Sequence, residues 1–142
     1  MRRRSDWQRV LDEFLRANQG RPFEYGKWDC CLFVCDAIAE MTGIDLAAPY
    51  RGQYSTRVGA MRAMRKQLGT ASIQAVAANA AATHHMPEAP VPLAHRGDMV
   101  LVGRGRDYSL GLVALNGRDA IVASKRGLWR LPLSRAVRAW RV

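Results

Sequence analysis

The residues best suited to chemistry in this chain are three cysteines, Cys30, Cys31 and Cys35, which fall within six residues of one another. An odd number at so tight a spacing is not a disulfide framework, and it points to folding in a reducing cytosol. A thiol reacts as its thiolate. The first turn of a helix favours that form, because its unpaired backbone N–H groups and the helix dipole stabilise negative charge. Asp29-Cys30 puts a thiol at such a point: Asp29 reads as an N-cap, with the helix running from Cys30 to about Thr42 and stopped by Gly43. Position alone favours packing over nucleophilic attack, so a second feature has to decide. Cys31 and Cys35 lie one turn apart and, with His84 and His85, sketch a zinc site. Cys30 points about a hundred degrees away from that pair on an ideal helix. The histidine pair also lies in an unpatterned loop, so buried free thiols are the better reading, and no metal or cofactor is expected.

The elements that must position these residues follow from periodicity. Ser5-Asp6-Trp7-Gln8 reads as a capping box, followed by a helix with Trp7, Val10, Leu11, Phe14 and Leu15 on one face, ending near Asn18-Gln19-Gly20. Arg21 to Trp28 is a loop. In the cysteine helix, Cys30, Val34, Ala37, Ile38 and Met41 share a face that should be buried centrally. Ser55 opens a third helix with the stripe Val58, Met61, Met64 and Leu68, whose methionines read as core filling. Ser72 to Thr83 suggests a short fourth helix. Pro87, Pro90 and Pro92 form a stiff connector, after which come β-type runs at Met99–Val102, Leu110–Leu115, Ala120–Ala123 and Leu128–Leu131. Asn116-Gly117 marks a hairpin, and Ala136 to Val142 supplies a last strand. Helices followed by an antiparallel sheet make an α+β fold in one domain over residues 1–142, helical in 1–85 and β in 93–142.

Asp29-Cys30-Cys31-Leu32-Phe33-Val34 resembles the Asp-Cys-Ser-Gly-Leu-Val run of the NlpC/P60 cysteine peptidases, papain-like enzymes in which that first cysteine attacks the peptide bond. Arg96-Gly97-Asp98-Met99-Val100-Leu101 is similar to the family's Pro-Gly-Asp-Leu-Val-Phe lead into a small β-barrel, and Ser109-Leu110-Gly111-Leu112-Val113 resembles its His-Val-Gly-Ile-Tyr strand. The three stand in the family's order and spacing, from about Trp28 to Ser124. The C-terminal stretch, Gly127-Leu128-Trp129, Leu131-Pro132-Leu133 and Ala139-Trp140-Arg141-Val142, resembles short phage-encoded members found among tail genes. The resemblance implies N-terminal helices packed on a small antiparallel β-barrel or sheet, Cys30 at the nucleophile position, and a place in the virion.

The departures are as informative as the matches. The family's base is the histidine that opens its second barrel strand, and here that position is Ser109. The residue that orients the base aligns with Val122, give or take one. Serine cannot accept a proton near neutral pH in place of imidazole, and valine orients nothing. Tyr25 stands for the family's tyrosine before the cysteine, with Phe23 as a competing match. Of the other histidines, His95 precedes the first strand and would have to reach across to the helix start, while His84 and His85 are expected at the surface of the connector. Cys30 reads as a nucleophile position retained without its base.

Composition bounds the partners. A hydrophobic content of 49% and a charged content of 24% are those of a globular chain. No apolar run approaches the roughly 20 residues that span a bilayer. The basic start, Met1-Arg2-Arg3-Arg4, lacks the apolar core of a signal peptide. The net charge is +10, and 19 of the 22 basic residues are arginine, scattered without interleaved aromatics. That disfavours a base-stacking nucleic-acid surface and suits docking to other proteins. Three functions stand. The first is a structural or assembly component of a phage tail tip or baseplate, made in the bacterial host's cytoplasm. Next is an active cysteine peptidase or amidase acting on peptidoglycan peptides as phage DNA enters. The last is a basic nucleic-acid-binding module.

Overall fold

The computed structural model describes the backbone of residues 1–142 and every side chain but that of Arg104. The first helix, α1 (Trp7–Ala17), turns Val10, Leu11 and Leu15 inward, with Trp7 and Phe14 half-buried beside them. The expected capping box does not form. Asp6 rather than Ser5 is the N-cap residue, and its side chain makes no capping bond. Arg4 at 3.0 Å and Arg9 at 2.6 Å hold the Asp6 carboxylate away from the helix N–H groups it would otherwise cap.

The second helix, α2 (Cys30–Thr42), begins and ends where the sequence places it. Asp29 caps it, and Gly43 closes it at φ 78°, a left-handed turn that glycine makes without a Cβ penalty. Leu32, Phe33, Val34, Cys35, Ala37, Ile38 and Met41 are all buried, so the helix is wrapped on more than the one expected face. Trp28 and Phe33, fully buried, pack with Phe14 of α1.

The third helix, α3 (Arg57–Leu68), starts one residue later than expected, because Thr56 and not Ser55 accepts from the Gly59 N–H. Its predicted core stripe is not core. Only Ala63 is buried, Val58 is 58% exposed, and Met61, Met64 and Leu68 line a groove. Ser72 caps the fourth helix, α4 (Ile73–Thr83), which seats Ala77 and Ala81 on the core.

Six strands follow: β1 (Glu88–Ala89), β2 (Met99–Arg104), β3 (Asp107–Val113), β4 (Asp119–Ser124), β5 (Gly127–Pro132) and β6 (Ala136–Trp140). They form one open antiparallel sheet in the order β1-β6-β2-β3-β4-β5, so the sheet option holds over the closed barrel. The Asn116-Gly117 hairpin is present, with Gly117 at φ 73° and the Asn116 side chain accepting from the Arg118 and Asp119 N–H groups. Both faces of the central strands are covered, which is why β2 reads as an unbroken apolar run. Met99, Leu101, Leu110, Leu112 and Ile121 face the helices, whereas Val100, Val102, Val113, Ala120 and Val122 form a second core on the far side. One end of β5 is blunted, because the Leu128 N–H and C=O both bond to Gln19.

The N-terminal arginines are ordered in part by the fold itself. Arg3 pairs with the buried Asp98 carboxylate at 2.7 Å, donates to the Val142 carbonyl at 2.9 Å, and lies over the Trp7 ring. Asp98 also accepts from the His95 and Val142 N–H groups. The Gly-Asp step before β2 therefore works as a clasp joining both ends of the chain to the sheet.

Candidate functional site

Asp29 is the hub from which the site is built. Its carboxylate, in a residue only 4% exposed, accepts from the Cys31 N–H at 3.1 Å, the Leu32 N–H at 2.9 Å, the Gly26 N–H at 3.1 Å and the Tyr54 hydroxyl at 2.5 Å. Two of these donors start α2, and the other two tie in the flanking loops. Gly26, at φ 84°, has to be glycine, because a Cβ there would lie 2.0 Å from the Tyr54 carbonyl oxygen. Arg51 braces the second loop by bridging Asp36 of α2 and Asp45. That bond to Arg51 holds the Asp45 carboxyl below its usual range. Burial first, then the bond to Asp29, pushes the Tyr54 hydroxyl well above the usual phenol range. Tyr54 remains a donor across the whole working pH range.

Cys30, half-buried at the first turn of α2, sits in a groove of about 1750 Å³. Its thiol is held below the ordinary value, first by a hydrogen bond from Cys31, whose sulfur is 3.9 Å away, and then by the Leu110 backbone N–H and the Ser109 hydroxyl. Burial and the Asp29 charge oppose this. Cys31 moves the other way: serving as donor to Cys30, and being buried, raises it well above its usual range. Burial pushes Cys35 up to about 12. One thiolate, on Cys30, is the arrangement the surroundings favour.

The Leu110 donor comes from an irregularity in the sheet. The Val113 N–H bonds to the Asp98 carbonyl on the β2 side. Backbone groups alternate sides along a strand, so Leu110 presents its N–H on the β4 side. There β4 pairs with β3 only at Leu112 and Val113. The Leu110 N–H is thus left without a β4 partner on the side of the Cys30 thiol, which it helps to hold below its ordinary value.

The structure brings Cys30, Ser109, Tyr25, Phe23 and Val122 to the same groove. Ser109 is buried, and its hydroxyl donates its one proton to the Leu110 carbonyl at 3.2 Å. Tyr25 packs edge-on against Phe23 and lines the groove from the loop that Asp29 anchors through Gly26. His95 is not brought there. It lines a separate concavity with Arg3, Trp7 and Asn116, and its Nδ1 accepts from Arg141 at 2.7 Å. The two connector histidines part company: His85 is exposed, whereas His84 caps the end of α4 and lines the Cys30 groove without a hydrogen bond to the thiol. Among the described residues no three His, Cys, Asp or Glu side chains cluster to hold a metal, and no helix is long and apolar enough to cross a membrane. Tyr54, Arg51 and the Leu110 N–H are the site residues that sequence reasoning missed.

Fold and site together define a small α+β protein with a half-buried thiol at a helix start in an open groove and, among the described residues, no imidazole bonded to it. The chain belongs to the family described as Domain of unknown function (DUF6950), whose profile matches residues 2–142. No curated protein matches it.

Proposed function

We propose that this protein is a non-catalytic assembly component of a phage tail tip or baseplate, built on a degenerate NlpC/P60 fold. The observation that carries the reading is the company of the Cys30 thiol: its nearest polar neighbours are Cys31, Ser109 and the Leu110 N–H, and among the described residues no imidazole is hydrogen-bonded to it. Peptide cleavage by a thiolate needs a proton delivered to the departing amine. An imidazole does this near neutral pH, and a serine hydroxyl does not. Ser109, at the position that the resemblance assigns to the base, lines the groove with Cys30, and Val122, at the orienter's position, reaches the same groove from the second core. The degenerate-peptidase reading draws its support from that juxtaposition. The test is to co-purify the protein with the products of neighbouring tail genes and measure the mass of each complex by light scattering. A stable complex with at least one is expected. A monomer in every mixture, together with hydrolysis of peptidoglycan peptides that disappears in Cys30→Ala, refutes the proposal.

One observation favours the peptidase reading as an alternative: a thiol held below its ordinary value in a groove whose wall includes an imidazole, that of His84. If the protein cleaves peptides, His84→Ala abolishes cleavage and His95→Ala does not.

A further inference from the structure

Five cations line the Cys30 groove: Arg57, Arg106, Lys125, Arg126 and Arg135. All are exposed, and among the described residues none is ion-paired. The groove's own acids offset them little. Asp29 is buried beneath four donors, and Asp45 is held by Arg51, which leaves Asp107. Between the cations the surface is apolar. Met61 and Met64 lie on α3, and two aromatic rings stand open to solvent, Trp129 at 56% and Tyr108 at 43% exposed. Methionine, aromatic residues and arginine are the side chains enriched where proteins dock.

We infer that the groove is the docking site for an acidic segment of a partner protein. Its carboxylates meet the five cations, and its apolar side chains settle between the α3 methionines and Trp129. The inference rests on the non-catalytic reading above, since a docked segment has to outlast the thiol beside it. Charge complementarity identifies the partner's chemistry: an electropositive rim repels basic segments and steers acidic ones in. Nucleic acid is the other polyanion. A wall of Met61, Met64, Leu68 and Ile73 offers a sugar-phosphate chain no hydrogen bonds, while it suits leucine or valine side chains.

The experiment titrates the whole protein into three fluorescein-labelled probes and follows anisotropy at low and physiological salt. The probes are a glutamate-rich peptide interspersed with leucine, its lysine-for-glutamate counterpart, and a single-stranded DNA oligonucleotide. The acidic peptide is expected to bind most tightly. The double variant Arg126→Glu/Arg135→Glu should weaken it by about tenfold or more. Arg62→Glu/Lys66→Glu makes the same change in net charge at exposed cations that do not line the groove, and should weaken it by about threefold or less. Equal losses in the two double variants would mean bulk attraction to a basic protein and overturn the inference, as would tighter binding of the DNA or of the lysine peptide. Cleavage of the acidic probe that vanishes in Cys30→Ala is a different failure. It removes the non-catalytic reading while the charge preference, measured in that variant, stands or falls by itself.

Discussion

Replacing Cys31 with alanine tests the thiol pair directly. The Cys31 thiol is the largest of the influences that lower Cys30, ahead of the Leu110 N–H and the Ser109 hydroxyl. An intramolecular hydrogen bond contributes about 0.5–1.5 kcal/mol net, and bonds to charged groups more. A thiol is a weak donor, and the sulfurs are 3.9 Å apart, so about 1 kcal/mol is a fair value for the thiolate form. Losing about 1 kcal/mol of thiolate stabilisation raises the Cys30 titration and slows alkylation about fivefold at any pH below the midpoint. The assay is the rate of iodoacetamide modification from pH 5 to 10, with the Cys30 peptide quantified by mass spectrometry. Ser109→Ala should move the midpoint in the same direction by less, since its influence is the smallest of the three. A midpoint unchanged in Cys31→Ala would show that the sulfurs do not share a proton. A lower midpoint would show that Cys31 carries the thiolate and repels a second charge on Cys30. Either result refutes the assignment.

Other perturbations follow from the same geometry. Tyr54→Phe removes a charge-assisted bond to Asp29 and should cost about 1.5–3 kcal/mol in urea unfolding, whereas a loss under about 0.5 would mean that the loop contributes nothing to holding the helix start. Arg3→Ala strips the ion partner from Asp98, whose side chain is 3% exposed. Two backbone donors remain to that carboxylate, so the cost falls at the lower end for a broken buried pair, about 3 kcal/mol by chemical denaturation. Met64→Ser should cost about 1 kcal/mol or less, as expected of a groove wall, against about 2–5 for Met41→Ala in the core. Stability should fall at alkaline pH. Cys35 is raised from 9.0 to about 12 in the fold, so between those values the unfolded chain has released a proton that the native state keeps. The unfolded state binds fewer protons there, and unfolding free energy declines with pH, by up to about 1.36 kcal/mol per unit for this group. A Cys35→Ala variant should show a shallower decline; an equal slope would remove Cys35 as its source.

Much of the fold was legible because local signals were strong and agreed. Asp29 and Gly43 bracket α2 by capping chemistry that acts within one helical turn. Asn116-Gly117 specifies its hairpin by backbone conformation alone. The readings that failed needed knowledge from elsewhere in the chain. A helical stripe such as Val58, Met61, Met64 and Leu68 reports that one face of a helix is apolar, not what that face meets. On α1 the corresponding face meets α2; on α3 it borders a groove. The Ser5 capping box lost to Arg4 and Arg9, which neutralise Asp6 and leave the helix start uncapped by side chains.

The site divides along the same line. Cys30 could be found because its value lies in its identity and its place at a helix start. Tyr54 and Arg51 act through contacts 25 and 15 residues away in the chain, in a loop with no periodicity to mark them. The Leu110 N–H is hidden more deeply, since every residue but proline carries the same group. What makes it a site residue is the point at which β4 leaves the β3 ladder. That argument bears on function. In the degenerate-peptidase reading proposed above, serine at position 109 leaves the site without a base, but a backbone donor that depends on strand register is untouched. A chain that lost its imidazole would thus keep its polarised thiol for as long as the sheet kept its register. Retention of a perturbed cysteine is therefore compatible with loss of catalysis, and the groove around it can have been kept for what it binds.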